Sequence, residues 1–145
     1  MIDWKDTPVL VLGGAGLLGS HLVSLLDERG AKVTIFDLLL RAGREQIGWE
    51  APPGVKCMQG DAGDSYELLD AGIGRFLVIF NLAANVAGIV HNFSSPAEMM
   101  ADNLAIKLGV YKALTHGGYR GYHDTDVFVD VSTVDYRPGA TIDLN

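Results

Sequence analysis

Short apolar stretches alternate along this chain with stretches in which apolar residues recur at helical spacing. Five apolar stretches predict strands, at Val9–Leu12, Lys32–Phe36, Val55–Gln59, Phe76–Leu82 and Val127–Val131. The fourth is apolar enough to predict a central strand. Strands that alternate with helices are typical of a parallel sheet with helices on both faces. The pattern therefore predicts an α/β fold, with Gly117–Asp126 as a surface loop.

Three helices are predicted between these strands. The first carries an apolar stripe of leucines at helical spacing, at Leu18, Leu22, Leu25 and Leu26. A basic last turn and a C′ glycine end it at Arg29–Gly30. The second spans about Ser65–Ala71. The third begins at Ser95–Glu98, a capping box with proline at the first helical position, and runs to about Thr115, where His116–Gly118 ends it.

Glycine is concentrated where the first strand meets the first helix, at Gly13, Gly14, Gly16 and Gly19. In such a run, one glycine makes a turn closed to residues with a Cβ atom. A second lets the backbone reach a pyrophosphate, and a third lets the helix pack on its strand. The start of the helix directs unpaired N–H groups and the positive end of its dipole at the phosphates. The run predicts a dinucleotide site; the alternative is a glycine turn in an unrelated α/β protein.

Asp37 follows the second predicted strand, about 20 residues after the glycine run, where a dinucleotide-binding fold needs a carboxylate for an adenosine ribose. A carboxylate accepts from a free 2′-hydroxyl and repels a 2′-phosphate, so Asp37 favours NAD. Arg41 and Arg44 leave NADP open, although both are alternatively solvated loop charges. The alternative for Asp37 is a solvent residue at a strand end.

The composition narrows the class of protein. A chain of 145 residues is long enough for one domain with a core, and a net charge of −7 argues against nucleic acid and anionic membranes as partners. Cys57 is the single cysteine, which excludes an internal disulfide and a cysteine-rich metal site; we expect it to pack in a strand as a small apolar residue. No His, Asp and Glu residues show metal-ligand spacing.

The sequence also bears on where the protein resides. Its first residues carry acids where a signal peptide needs a basic stretch. The longest apolar segment, Phe76–Val90, is interrupted by Asn81 and Asn85 and is too short for a membrane span. We therefore expect a soluble, cytoplasmic protein.

The run Leu12–Leu22 resembles the opening of the extended short-chain dehydrogenase/reductases, the family of nucleotide-sugar epimerases and dehydratases, although Leu12 stands where threonine is usual. Further matches follow in the family's order, at Asp37, Arg41–Ile47, Gly60–Asp61, Asn81–Ala84, Asn103 and Val131–Thr133. The segment Ala84–Asn92, with Pro96–Ala97 and Asn103, is most similar to the branch of GDP-fucose synthase. The resemblance spans most of the chain. It implies a doubly wound Rossmann sheet with strand order 3-2-1-4-5 over residues 1–145.

The resemblance also implies a set of residues that bind NAD, or alternatively NADP: Gly13, Gly16, Leu17, Leu18, Gly19, Asp37, Arg41, Asp61, Ala62, Leu82, Ala83, Ala84 and Asn103. Asp61 would contact the adenine amine, although a Gly-Asp strand end is often only a turn. Asn81 stands where the family more often has histidine, so only its backbone role carries over. Asn103 more often ties the helix to a loop than touches substrate.

In this family the nicotinamide removes or delivers hydride at a sugar carbon, while a tyrosine phenolate handles the hydroxyl proton. A serine or threonine hydroxyl steadies the developing oxyanion. The family's spacing, counted back from Tyr136, assigns that hydroxyl to Ser132, or to Thr133 if the register differs by one. The alternative is that both hydroxyls only close hydrogen bonds at a strand end.

The family's proton-transfer pair, Tyr-x-x-x-Lys, is absent from the sequence. We therefore expect the N-terminal part of a longer enzyme, or a truncated product, which lacks the substrate lobe and is incomplete at its C-terminus. Such a sheet would expose an apolar edge that a second copy covers, so a homo-oligomer is expected.

Three interpretations remain open. The first is the NAD-binding part of a nucleotide-sugar epimerase or reductase, inactive alone. A dehydratase is less well supported, because Val134–Asp135 replaces the Asp-Glu pair of that branch. The second is a non-catalytic NAD-binding module that senses cofactor or assembles with a partner. The third is an interaction domain that binds no cofactor.

Overall fold

The computed structural model describes residues 3–38, 49–85, 96–117 and 127–130, the last of these by backbone alone. These residues form one sheet of five parallel strands, in the order β3-β2-β1-β4-β5. The strands are β1 (Pro8–Leu12), β2 (Lys32–Asp37), β3 (Lys56–Gln59), β4 (Val78–Asn81) and β5 (Val127–Asp130). The predicted α/β class and the strand order 3-2-1-4-5 are confirmed.

The centre of the sheet is made by the two most apolar strands. β1 pairs with β2 on one side and with β4 on the other, so that Val9 lies beside both Val33 and Val78. Every residue of β4 is buried. Strands that are covered on both faces need continuous apolar runs, and this explains why Phe76–Leu82 predicted a central strand.

The described helices are α1 (Leu17–Glu28), α2 (Ser65–Asp70) and α3 (Pro96–His116), with a short 3₁₀ turn at Ile73–Arg75. The three helices and five strands were predicted, with ends that differ by a residue or two. α3 begins at Pro96, as predicted, while the capping serine of its box lies outside the described residues. α2 has its own cap, because the Asp64 carboxylate accepts from the N–H groups of Tyr66 and Glu67.

The core has two layers, one on each face of the sheet. Alternate residues of a strand point to opposite faces, so Val9 and Val11 pack with α1 while Leu10 and Leu12 pack with α2 and α3. The α1 layer also contains Val33, Ile35, Val78 and Phe80, and the other contains Phe36, Leu68, Ile79, Val110 and Ala113. Helices therefore cover both faces, as a doubly wound sheet requires.

The buried stripe of α1 differs from the prediction. Leu18 is 67% exposed, and Leu22 and Leu25 are only partly buried. The residues that face the sheet are Gly19, Ser20, Val23 and Leu26. Leu26 is therefore buried as predicted. The first turn of the helix lies against the preceding turn through Gly19, so small residues take the buried positions at that end and Leu18 faces solvent. Hydrophobicity at helical spacing could not reveal a contact made by glycine.

Cys57 was expected to pack as a small apolar residue, and this is wrong. It lies in β3 as predicted but is exposed. Among the described strands β3 pairs only with β2, so it is an edge strand, and it carries polar side chains at Lys56 and Gln59.

The end of α1 depends on a glycine in the left-handed conformation. Gly30 has φ +82°, its N–H donates to Asp27 O at 2.8 Å, and the N–H of Ala31 donates to Leu26 O at 3.1 Å. These two bonds are those of a Schellman motif, which satisfies the last carbonyl groups of the helix. A Cβ atom at Gly30 would come no closer than 3.7 Å to another residue, so space is not the constraint.

We predict that Gly30→Ala lowers the free energy of unfolding by about 1–2 kcal/mol, because alanine is strained in the left-handed conformation. Gly30→Asn is the matched control. Asparagine tolerates this conformation, so its loss should be clearly smaller. Urea unfolding monitored by circular dichroism measures both variants. Equal losses would contradict the assignment of the effect to backbone conformation.

Candidate functional site

The carboxyl ends of the parallel strands lie along one edge of the sheet. Leu12 of β1 lies beside Asn81 of β4 on one side and Phe36 of β2 on the other. The chain leaves β1 toward β2 and returns to the other side of β1 at β4, so the connections diverge there. In open α/β sheets, ligands bind in the crevice at such a switch point.

Gly13 forms the turn at this crevice. It has φ +73°, and its N–H donates to Phe36 O at 2.9 Å. A Cβ atom there would lie 2.8 Å from both the amide nitrogen of Ala83 and the carbonyl carbon of Leu82. Only glycine satisfies both requirements, since a side chain would be strained in this conformation and would strike the backbone that follows β4.

Gly19 allows α1 to approach that turn. Its Cβ atom would lie 2.6 Å from Gly14 Cα and closer still to the carbonyl oxygen of Gly13. The first turn of the helix therefore rests on the backbone of the glycine run. This is the helix-packing function that the sequence predicted for one of the glycines.

Gly16 has a different environment. It is the N-cap of α1 with φ −74°, which any residue adopts, and a Cβ atom would meet only Gly13 O, at 3.3 Å. This contact is tight, but among the described residues no other atom would lie within 4 Å of that Cβ atom. Backbone conformation does not require glycine here, so the space that the described residues leave before the helix is the feature to explain.

The beginning of α1 is suited to an anion. No side chain caps it, and no acidic residue lies in its first turn. The first bond to the cap residue is made by Ser20, whose N–H donates to Gly16 O at 2.9 Å. The N–H groups of the preceding helical residues therefore have no carbonyl partner within the helix. Leu17 and Leu18, 66% and 67% exposed, flank this position. The geometry fits the pyrophosphate of a dinucleotide, held by backbone amides and the helix dipole.

Asp37 connects the glycine run to the end of the neighbouring strand. Its half-buried side chain accepts from the N–H of Ala15 through Oδ2 at 3.0 Å. Its carbonyl oxygen accepts from the N–H of Gly60 at 3.1 Å. The carboxylate thus lies beside the glycine turn, where the sequence placed a ribose contact.

The turn after β3, Gly60–Asp64, forms the next part of the edge and is called here the base turn. Asp61 is exposed, and its Oδ1 accepts from the N–H of Gly63 at 2.7 Å. The N–H of Asp61 donates to the Glu67 carboxylate at 2.7 Å, and Ala62 is buried. Gly60 and Asp61 therefore begin a turn that leaves the Asp61 side chain at the surface, and the adenine contact of Asp61 stays a prediction.

The segment after β4 forms the floor of the crevice. The N–H of Leu82 donates to Leu12 O at 2.9 Å, which continues the pairing of the two central strands. Asn81 is fully buried, and its Oδ1 accepts from the N–H of Ala83 at 3.3 Å. Leu82, Ala83 and Ala84 are each partly exposed at the edge.

Asn103 of α3 holds the end of that floor. Its Oδ1 accepts from the N–H of Asn85 at 2.7 Å, and its Nδ2 donates to Asn85 O at 3.3 Å. The Asn85 side chain in turn donates to Asp102 Oδ2 at 2.8 Å. The interpretation of Asn103 as a tie between helix and loop is confirmed.

Four of the predicted residues lie outside the described part of the chain. These are Arg41 and Arg44 after β2, and Ser132 and Thr133 after β5. Their proposed contacts with cofactor and substrate stay predictions.

Two residues that the sequence analysis did not single out contact the base turn. Glu67 binds the Asp61 amide, and Gly109 of α3 lies against the backbone of Ala62 and Gly63. A glycine inside a helical pattern usually has a packing reason, and this signal was available at Gly109. A hydrogen bond that a surface glutamate accepts from a backbone amide leaves no comparable pattern in the sequence.

The described residues were also compared with the requirements for a ligand cavity, a membrane span and a metal site. A cavity of about 380 Å³ lies on the outer side of α1, beside Ser24 and Trp49 rather than in the crevice between β1 and β4. No described helix combines the length and apolar character needed to cross a membrane. Within the same ranges, no three His, Cys, Asp or Glu side chains come together in a way that could hold a metal ion.

Comparison with known proteins gives a consistent result. Residues 9–140 match the model of the NAD dependent epimerase/dehydratase family. A 3 beta-hydroxysteroid dehydrogenase/Delta 5→4-isomerase of Mycobacterium tuberculosis is 30% identical over 126 residues, which cover 87% of this chain and 32% of that protein. A UDP-glucose 4-epimerase of Corynebacterium glutamicum is 31% identical over 110 residues, which cover 75% of this chain and 32% of that protein.

Solved structures include similar chains. The UDP-glucose 4-epimerase of Thermus thermophilus, solved in complex with NAD, superimposes with a TM-score of 0.62 at 32% identity. The match covers 76% of this chain and 34% of that one. The chain therefore spans about a third of the length of the curated relatives named above.

Substitution at Gly19 and at Gly16, the N-cap of α1, should have different effects. We predict that Gly19→Ala lowers the free energy of unfolding, because overpacking against backbone costs about 1–3 kcal/mol while alanine regains only about 1 kcal/mol of helix propensity. Gly16→Ser should lower it clearly less, since its Cβ atom has one contact at 3.3 Å and serine caps a helix at least as well as glycine. Denaturant unfolding of both variants checks this. Equal destabilisation would contradict the open space at Gly16.

Proposed function

Because the chain belongs to the NAD-dependent epimerase/dehydratase family, we propose that it is the NAD-binding part of a nucleotide-sugar epimerase or reductase. The observation that supports this most directly is the beginning of α1. The helix lacks a side-chain cap and an acidic first turn, and among the described residues only Gly13 would lie within 4 Å of a Cβ atom on the glycine before it. A diphosphate bridge fits this arrangement in both charge and size.

Different residues along the edge of the sheet contact different parts of the cofactor. The amides that follow Gly16 hold the pyrophosphate, and Asp37 accepts from the adenosine ribose. Asp61 and Ala62 lie at the adenine end. The remaining members of the proposed site are Gly13, Leu17, Leu18, Gly19, Arg41, Leu82, Ala83, Ala84 and Asn103. Asn103 acts by holding the floor through Asn85, as its two hydrogen bonds indicate.

Bound in this way, NAD would accept hydride from a sugar carbon and return it. The chain's part is to orient the dinucleotide along the crevice and exclude water from its floor. We assign the stabilisation of the developing oxyanion to the hydroxyl of Ser132, or of Thr133 in the neighbouring register. The sequence contains no Tyr-x-x-x-Lys, so the proposed reaction needs a proton-transfer pair that these 145 residues do not supply. Alone, the chain should bind cofactor without turnover.

The relatives support a second substrate class. A 3 beta-hydroxysteroid dehydrogenase/isomerase aligns over more of this chain than the UDP-glucose 4-epimerase does, 87% against 75%. In both proteins the part that aligns with this chain is about a third of the protein. A steroid is therefore the alternative substrate, and a non-catalytic NAD-binding module is the alternative to an enzyme. If adding a segment that supplies Tyr-x-x-x-Lys restores turnover, the non-catalytic module is excluded. The substrate that is then turned over would show whether the class is nucleotide sugar or steroid.

A second copy of this chain is the partner that the surface of α3 supports. Exposed residues recur along this helix in alternating steps of four and three, at Ala97, Ala101, Leu104, Leu108, Tyr111 and Thr115. Such a seam packs against another helix. A twofold axis that passes between Leu104 and Leu108 would place Leu104 of one copy against Leu108 of the other. The same axis would pair Ala101 with Tyr111 and bring Glu98 near Lys112 of the other copy. By contrast, Lys56, Cys57 and Gln59 of edge strand β3 are exposed and largely polar, so we propose α3 as the interface rather than this edge of the sheet.

The cytoplasm is the location proposed with this function. A single, exposed cysteine is typical of a protein kept in a reducing compartment.

Asp37 should determine which dinucleotide binds. We predict that the chain binds NAD more tightly than NADP, and that Asp37→Asn narrows this preference, because the amide still accepts from the Ala15 N–H but no longer repels a 2′-phosphate. Asp37→Ala should narrow the preference for NAD further and weaken the binding of both cofactors. Isothermal titration with each nucleotide measures these affinities.

Gly16→Val tests the phosphate end of the proposed cofactor site. The side chain would fill the open space before α1 and should abolish binding of both nucleotides while the protein stays folded. Absence of heat with either nucleotide in the unmodified chain would refute NAD binding. An unchanged NAD to NADP ratio in Asp37→Asn would remove Asp37 from the ribose site.

The α3 seam gives a prediction about assembly. Leu104→Glu should convert a dimer to a monomer, because a twofold axis brings each introduced carboxylate into the apolar seam of the other copy. Sedimentation velocity over a range of concentrations measures the change. Lys56→Glu on the edge strand is the control and should leave the dimer intact. A chain that is monomeric at all concentrations would refute this interface.

A further inference from the structure

The base turn is held by protein on two sides. Within the turn, the N–H of Asp64 donates to Asp61 O at 3.0 Å and the N–H of Gly63 donates to Asp61 Oδ1 at 2.7 Å. These local bonds define its shape but not its position on the sheet edge. Its position depends on the bond from the N–H of Gly60 to Asp37 O and on contacts with the two helices that pack beside the turn.

Gly109 makes the contact from α3. A Cβ atom at this position would lie 2.5 Å from the carbonyl carbon of Gly63 and 2.9 Å from the carbonyl oxygen of Ala62, with the carbonyl oxygen of Gly63 nearer still. All of these are backbone atoms, which cannot rotate away as the end of a side chain can. The helix and the turn are therefore as close as two backbones can come, and any side chain at Gly109 would separate them.

The position of this glycine in its helix supports a specific requirement. Gly109 lies in the interior of α3 and is buried. Glycine there is less favourable than alanine for helix formation by about 1 kcal/mol. Its neighbour Val110 is fully buried, so a side chain would otherwise help to fill this face of the core.

Glu67 makes the contact from α2. Its carboxylate accepts from the N–H of Asp61 at 2.7 Å. The same carboxylate lies beside Gly60, where a Cβ atom would be 2.7 Å from Glu67 Oε2 and closer still to the ring of Phe36. Glu67 therefore fixes the residue that begins the exposed part of the turn, and Gly109 fixes the residues that follow it.

We propose that Gly109 and Glu67 are positioning residues that direct the Asp61 carboxylate at the base of the bound dinucleotide and so determine which base is accepted. This inference rests on the proposed function. A carboxylate held beside the exocyclic position of the base accepts from the 6-amino group of adenine. It repels the 6-oxo group that hypoxanthine carries at the same place.

α3 would then position both ends of the cofactor site. Asn103 holds the floor segment through Asn85, and Gly109 lies further along the same helix. The helix rises about 1.5 Å per residue, so the two contacts are separated by about 9 Å. A displacement of α3 at Gly109 would move the base turn while leaving the bonds at Asn103 in place.

The test compares binding of NAD with binding of nicotinamide hypoxanthine dinucleotide by isothermal titration. In the unmodified chain we expect NAD to bind about tenfold more tightly or better, as expected for a hydrogen bond to a charged group. Gly109→Ala should reduce this preference to about twofold or less. Glu67→Ala should reduce it independently, which keeps the proposal testable if Gly109→Ala fails to fold.

Two further variants separate positioning from general destabilisation. Val110→Ala removes core packing from the same part of α3, and should lower stability while leaving the preference for NAD unchanged. Asp61→Asn should abolish the preference, because an amide can either accept from the 6-amino group or donate to the 6-oxo group.

The outcomes are distinct. If the unmodified chain binds neither nucleotide, the proposed function fails and this inference fails with it. If it binds both nucleotides equally, or if Asp61→Asn does not alter the ratio, the base turn does not recognise the base and only this inference is overturned. Unmodified ratios in both Gly109→Ala and Glu67→Ala would likewise overturn it.

Discussion

The site depends on how closely one stretch of backbone approaches another. At Gly13 the turn after β1 lies against the segment that follows β4, and at Gly19 the first turn of α1 lies against that same turn. Neither approach leaves room for a Cβ atom. Because β1 and β4 are the two central strands, these contacts place the start of α1 directly above the point where the connections of the sheet diverge. Other parts of the edge are arranged around this point.

The third glycine contact repeats the same principle at the other end of the proposed cofactor site. Gly109 brings α3 against the base turn as Gly19 brings α1 against the glycine turn. In each case a helix positions a loop by direct backbone contact. Because the helix is rigid, such a contact leaves the loop little freedom to move. Side chains then complete the arrangement, with Asp37 bound to the first loop and Glu67 to the second.

The electrostatics follow from the same geometry. A chain with a net charge of −7 could repel a dinucleotide if charged side chains lined the whole site. The phosphate position instead lies before a helix that has no acid in its first turn. Of the two acids in the proposed site, Asp37 lies beside the glycine turn with its carboxylate bound to the Ala15 amide, and Asp61 lies further along the edge. There they would meet the hydroxyl and amino donors of the nucleoside. Backbone dipoles and a few placed carboxylates therefore account for the proposed recognition without a basic patch.

The sequence by itself determined the fold class, the five strands, their order by family resemblance, and the glycine run with its turn and its helix-packing contact. These features depend on local patterns, on apolar alternation and on glycine spacing, which a single sequence contains. Only the tertiary structure decided which face of α1 is buried, that Cys57 is exposed on an edge strand, and that Gly109 and Glu67 contact the base turn. Those outcomes depend on contacts between residues distant in the chain. A glycine that packs through its absent side chain leaves no hydrophobic signal, and burial in an edge strand depends on how many neighbours the sheet supplies.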